Sequence, residues 1–248
     1  MIEMGTVSPE VRRAVTSRVD DDDTLRIEWP EPDDGIVVLR HAETGQEHHG
    51  ADLTGLAVGT WTVWKHGEPL VTDDPGFSLD GLLAYAGRPR SREARAMRTA
   101  EGTLAVLVRE VEPYVEVTRV RPQDGVVEVE GLIAYGEPLD GEHPAGLVAA
   151  ARKGPETAGA GTVAGRRFTG TVAIEPLAGE QSRRRVFWDL FAEIRGVRLP
   201  LAARLDDVTD KKTRVRFPAQ YVGQVRVRPY FTDSESLAVA CTIEEENA

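Results

Sequence analysis

The clearest chemistry in this sequence lies in four arginines and four aromatic residues near its C-terminal end. Arg214 and Arg216 alternate with Val215 and Phe217, and Arg226 and Arg228 alternate with Val225 and Val227. On extended backbone each arginine pair then projects from one side of its strand. Planar guanidinium forks match phosphate oxygens, and exposed rings such as Tyr221, Tyr230, Phe187 and Phe191 can stack on a sugar face. The combination suits a carbohydrate or a phosphate-containing polymer. The competing reading is structural: the arginines blunt edge strands against aggregation and the rings complete a core.

Other chemistry-bearing residues are less convergent. Asp80, Asp189, Asp206, Asp207 and Asp210 could form carboxylate pairs, but sequence spacing does not place two of them at the separations that glycosidases use. Asp189 is expected to pair across a sheet. His41, His48 and His49 surround Thr44-Gly45; with no cysteine among them they read as a polar hairpin tip rather than a zinc site. Nucleophile-elbow, zincin, paired-cysteine and phosphate-loop motifs are absent from the chain, so no catalytic residue, metal or cofactor is assigned. The single cysteine, Cys241, follows Leu237 and Val239 in alternation and reads as a small buried apolar group.

The elements that must position these residues are strands. Val186, Trp188, Leu190, Ala192 and Ile194 form an unbroken alternating apolar face, with Asp189, Glu193 and Arg195 on the other side, as in a half-solvated strand. Trp61-Thr62-Val63-Trp64 echoes this segment. Leu104-Ala105-Val106 and Leu237-Ala238-Val239 echo each other further along, so the chain reads as an internal repeat. Leu56-x-x-Gly59-x-Trp61 looks like the corner that enters an immunoglobulin-like strand. The expected fold is therefore all-β, with tandem immunoglobulin-like β-sandwiches over residues 24–113 and 114–248. A short N-terminal helix is expected before them, because Ser8-Pro9-Glu10 can cap a run in which Val11, Ala14, Val15 and Val19 recur at helical spacing. The run Asp20 to Asp23 would end that helix, so residues 1–23 form a helix and acidic linker. Residues 90–97 fit a helical turn or a strand equally.

Three segments of the second unit carry a family resemblance: Gly165-Arg166-Arg167-Phe168-Thr169-Gly170-Thr171-Val172, the Phe187-Trp188-Asp189-Leu190 strand, and Val225-Arg226-Val227-Arg228-Pro229-Tyr230-Phe231-Thr232. Together they resemble accessory C-terminal immunoglobulin-like β-sandwich domains of actinobacterial glycosyltransferases and teichoic-acid-type polymer transferases. The resemblance covers about residues 112 to 246 and, more loosely, 24 to 111. It implies a non-catalytic module beside a transferase catalytic domain, serving polymer binding or assembly. No nucleotide-sugar domain is present in the chain, so the resemblance does not extend to catalysis.

Charge narrows the partners. The net charge is −11 over 248 residues, which argues against a general nucleic-acid binder. Between residues 181 and 228, however, twelve Arg and Lys face five Asp and Glu, a local +7. No apolar run reaches the length of a membrane span, and the start lacks a secretory pattern, so the cytoplasm is the expected compartment. Two further possibilities stand beside a binding module. One is a small transferase or hydrolase with its site between the two sandwiches; the other is a homo-oligomer formed through the Phe187 and Phe191 face.

Overall fold

Buried residues alternate with more exposed ones along the strands at residues 37–41, 59–65, 126–134, 167–173, 185–194 and 225–231. The structure is a computed structural model that describes residues 13–14, 16–29, 35–74, 78–180, 184–206 and 208–244. The chain divides into two compact units: residues up to 85 with 90–111, and residues 86–89 with 112 onward.

The first unit contains β1 (Arg13–Ala14), β2 (Thr16–Val19), β3 (Leu25–Glu28), β4 (Val37–His41), β5 (Glu47–His49), β6 (Gly59–Lys65), β7 (Glu68–Pro69), β8 (Val71–Thr72), α1 (Leu79–Tyr85), β9 (Arg92–Arg98) and β10 (Leu104–Glu110). Its main sheet runs β5-β4-β6-β10-β9, with β7 hydrogen-bonded to β6. Leu39, Trp61, Val63, Leu70, Leu104 and Val106 are buried on it. Residues 92–98 are thus a strand, paired with β10 along its whole length.

The N-terminal helix is not what the described residues form. Ser8 to Val11 lie outside them, but Thr16–Val19 is strand β2, paired antiparallel with β3. The acidic run makes the turn of that hairpin. Asp20 Oδ1 accepts from the Asp22 and Thr24 amides at 3.0 and 2.9 Å, while its Oδ2 accepts from Arg26 at 2.6 Å. The amide of buried Ser17 donates to Asp74 at 2.7 Å, a tertiary partner that a helical amide would not need. Local spacing is overridden by packing, since Val19, Ile27 and Trp29 lie against the core.

The second unit contains β11 (Tyr114–Gln123), β12 (Val126–Ala134), β13 (Leu139–Ala151), β14 (Glu156–Gly165), β15 (Arg167–Ala173), α2 (Ile174–Gly179), β16 (Arg185–Ile194), β17 (Val197–Ala202), α3 (Lys211–Arg214), β18 (Gln220–Val222), β19 (Val225–Phe231) and β20 (Leu237–Ile243). The order β13-β14-β15-β12-β11-β17-β16 returns to β13 through a β13–β16 pairing. Seven strands therefore close into a barrel. An odd number cannot alternate in direction all the way round, and the parallel pair β11–β17 absorbs the mismatch. Val115, Val127, Val129, Leu147, Phe168, Trp188, Leu190 and Leu201 fill its core. A closed barrel replaces the two stacked sheets of an immunoglobulin-like sandwich, because β13 is long enough to pair with β14 along one edge and β16 along the other.

Strand β16 has a forked edge. Residues 188–194 pair with β13; on the opposite side residues 185–189 pair with β20, and residues 191–194 with β17. From β20 the sheet continues through β19 to β18. The order β13-β16-β20-β19 thus parallels β4-β6-β10-β9 in the first unit. Trp61 lies opposite Val106 and Trp188 opposite Val239, and both tryptophans are buried. The turns before β10 and β20 also match. Thr99 Oγ1 accepts from the Thr103 amide at 3.2 Å and Thr232 Oγ1 from the Ser236 amide at 3.1 Å. Positive φ falls on Gly102 at 83° and on Glu235 at 60°.

Candidate functional site

The outer face of β16, β20 and β19 carries the charged residues. Because side chains alternate, the strand that buries Trp188 and Leu190 turns Arg185, Phe187 and Asp189 outward. On β19, Arg226, Arg228 and Tyr230 share that outer face, with Val227 and Phe231 buried beneath. Cross-strand register sets the side chains in rows: Arg226, Thr242 and Arg185 in one, and Arg228, Ala240 and Phe187 in the next. The small residue in the middle of the second row leaves a hollow.

That hollow is a groove of ≈ 400 Å³, lined by Arg152, Arg185, Phe187, Lys212, Arg226 and Arg228, with Tyr230, Thr232, Asp233, Ala240 and Thr242. Phe187 and Tyr230 meet edge to face, their centroids 6.0 Å apart. The guanidinium of Arg152 lies 5.4 Å from the Phe187 ring centre and that of Arg185 lies 5.9 Å from it, within the range of cation–π attraction.

Three of the five cations are matched by carboxylates. Arg152 donates to both oxygens of Asp189, with Nη2 to Oδ1 at 2.9 Å. That bidentate contact raises the Arg152 pKa above its usual value. Lys212 reaches Asp233 at 2.8 Å, and the same pairing raises its pKa. Arg226 lies 3.2 Å from Glu244. Arg185 donates to Thr242 Oγ1 at 3.2 Å. Among the described residues neither Arg185 nor Arg228 has a carboxylate partner. Burial, first, raises the pKa of Tyr230, and neighbouring Arg152 and Lys212 oppose the rise.

Four of the eight residues singled out from sequence line this groove: Phe187, Arg226, Arg228 and Tyr230. The others do not. Arg214 closes α3 and Arg216 follows it in irregular chain, so neither alternates along a strand. The reason is Lys211, buried at 3% exposure, whose ammonium has an acceptor for each proton: Asp206 at 2.7 Å, Glu235 at 3.0 Å and Val208 O at 2.9 Å. Anchoring it winds the backbone into a helical turn. Phe191 lies on the outer face of β16 but opposite Val148 and Pro200, beyond the groove. Tyr221 is exposed on edge strand β18, opposite Arg226, and extends that row past the groove wall.

Arg152, Arg185 and Lys212 went unrecognised from sequence. Arg185 had a readable signal, since it stands two residues before Phe187 in the same alternation. Arg152 and Lys212 reach the groove from the turn after β13 and from α3, through tertiary pairing alone.

The remaining candidates lie outside the groove. His41 is buried; its Nε2 lies 3.1 Å from Val58 O, and its Nδ1 accepts from the Glu43 and Thr44 amides at 3.2 Å. Those partners require the Nε2-protonated tautomer. Asp206 is committed to Lys211, Asp210 to Thr213, and Asp80 sits exposed in the first turn of α1; Asp207 lies outside the described residues. Among the described residues no three His, Cys, Asp or Glu side chains are grouped to hold a metal ion, and no helix is long and apolar enough to cross a membrane. Cys241 is buried, and burial pushes its thiol up to about 12, opposed by the Trp188 indole N–H.

No family model matches this chain, and no curated protein matches it. Among solved structures it is similar to a crystal structure of S. aureus TarS residues 217–571, with a TM-score of 0.40 and 14% identity over 66% of this chain and 50% of that one. A second S. aureus TarS structure gives the same TM-score at 13% identity, with 66% of this chain and 32% of that chain covered. The chain therefore spans half or less of the TarS chains it matches, and a TM-score of 0.40 fixes neither its fold nor its activity.

Proposed function

We propose that this chain is a non-catalytic binding module whose ligand is an anionic, carbohydrate-containing polymer held on the outer face of β16, β20 and β19. One observation carries the reading: five cationic side chains and two aromatic rings surround a single groove floored by alanine. Guanidinium forks suit phosphate oxygens, and the Phe187 and Tyr230 rings offer apolar edges to a sugar. A purely protective role for edge strands explains the groove less well, because Arg226 stands on an internal strand, between Tyr221 of β18 and Thr242 of β20. The resemblance of the sequence to accessory domains of polymer transferases points the same way, with a transferase catalytic domain as the companion and the cytoplasm as the setting.

The test is retention of the chain on immobilised phosphate-bearing glycan, with the double substitution Arg226→Glu and Arg228→Glu as the comparison. Both positions face outward, so the variant keeps its fold by circular dichroism. Retention is expected to fall at least tenfold; unchanged retention would remove the groove from the account and leave the fold standing.

A further inference from the structure

We infer that Arg185 and Arg228 form the seat for one phosphomonoester dianion, so that the groove recognises the phosphorylated end of a sugar or polyol chain rather than its repeating diester backbone. The inference rests on the groove being the anion site proposed above and names the chemical form of the ligand that it takes.

Internal charge balance leads to this form. Arg152, Lys212 and Arg226 are each satisfied by a carboxylate of the same unit, Asp189, Asp233 and Glu244. A ligand phosphate at any of them would displace or face that carboxylate. Arg185 and Arg228 carry the two positive charges left without a carboxylate among the described residues, and both line the groove. They stand diagonally across β20, at either side of the adjoining positions Ala240 and Thr242. Ala240 leaves room there, and the Thr242 hydroxyl already accepts from Arg185, so its proton is free to point at an anion. Two positive charges match a phosphomonoester, which carries about −1.5 to −2 at neutral pH, better than a diester with its single charge. Phe187 sits in the same row as Arg228, with Tyr230 edge-on against it. The ring or chain that bears the phosphate would rest on that pair. A volume of ≈ 400 Å³ holds a group the size of a monosaccharide phosphate, not several repeats of a polymer.

The experiment is calorimetric titration of the full chain with glucose 6-phosphate and with its methyl phosphodiester, at pH 5 and at pH 7.5. Among the described residues no histidine lines the groove, and the charged or titratable groups facing the seat are Arg152, Lys212, Arg226, Tyr230, Asp189, Asp233 and Glu244. The second phosphate ionisation, near pH 6, then governs the response. Monoester binding is expected to tighten about tenfold between the two pH values, following the dianion fraction, while the diester binds weakly at both. Arg185→Gln and Arg228→Gln should each weaken the monoester and together remove its pH dependence. Arg228→Lys, which keeps the charge and loses the fork, should fall between wild type and Arg228→Gln. If monoester and diester bind equally with no pH dependence, the seat is wrong and the groove survives as a polymer site. If neither binds and immobilised phosphate-bearing glycan also fails to retain the chain, both readings fall.

Discussion

Trp188 and Phe187 are neighbours in sequence and opposites in consequence. Trp188 is 1% exposed and packed in the barrel, so Trp188→Ala should cost about 3 to 5 kcal/mol in urea unfolding. Phe187 stands outward against Tyr230; Phe187→Ala should cost about 1 kcal/mol and express itself instead as lost ligand retention. Equal stability losses for the two would contradict the assignment of faces. Glu116 supplies a second residue-scale test. It is 4% exposed and accepts from the Tyr114 hydroxyl at 2.9 Å and from the Arg204 and Leu205 amides at 2.8 and 3.2 Å. Burial dominates those hydrogen bonds and raises its pKa above 4.5. A raised folded-state value means that the stability Glu116 contributes is complete below 4.5 and lost as pH climbs through the raised value. Wild type should therefore lose stability relative to Glu116→Gln on going from pH 4 to pH 7, as read by urea midpoints at each pH; parallel curves would deny Glu116 that role.

At the scale of elements, alternation was legible wherever a strand had one apolar and one polar face. Val186 to Ile194, Val225 to Phe231 and Leu237 to Cys241 were readable for that reason, and so was the equivalence of Trp61 with Trp188. The segment from Lys211 to Phe217 misled for the same reason inverted: Arg-Val-Arg-Phe has the strand period, but the satisfied burial of Lys211 decides its conformation. Residues near Asp20 misled because a turn and a helix end use the same acidic residues. Barrel closure had no local signature at all, since it depends on β13 meeting β16 some forty residues later. Its tightest point is Gly159 on β14, where an added Cβ would lie 1.8 Å from Thr171 O on β15. Gly159→Ala must push the two strands apart, and a loss of about 1 to 3 kcal/mol or more in urea unfolding is expected. A neutral substitution would show that the β14–β15 approach leaves room for a methyl group.

For the whole molecule, the numbers to weigh are −11 overall and +7 within residues 181–228, which leaves −18 on the remaining 200 residues. A short phosphate ligand meets the basic groove alone, whereas a long polyanion also meets the acidic residues of the same unit, Glu128, Glu130, Glu156 and Glu193 among them. Because the screening length falls to about 8 Å at physiological salt, the ratio of long-polymer to short-ligand affinity should rise as salt is added, even while both affinities fall. A ratio constant from low to physiological salt would mean that the remote charge is not felt at the groove. The forked edge of β16 bears on the same surface. From Trp188 to Ile194 the strand is held by β13 on one side, and β20 and β17 hold it on the other from Arg185 onward, so it has no register into which it can slip. A ligand arriving there finds its contacts already in place, and association should proceed in a single kinetic phase, with amide exchange along the strand as slow before binding as after it.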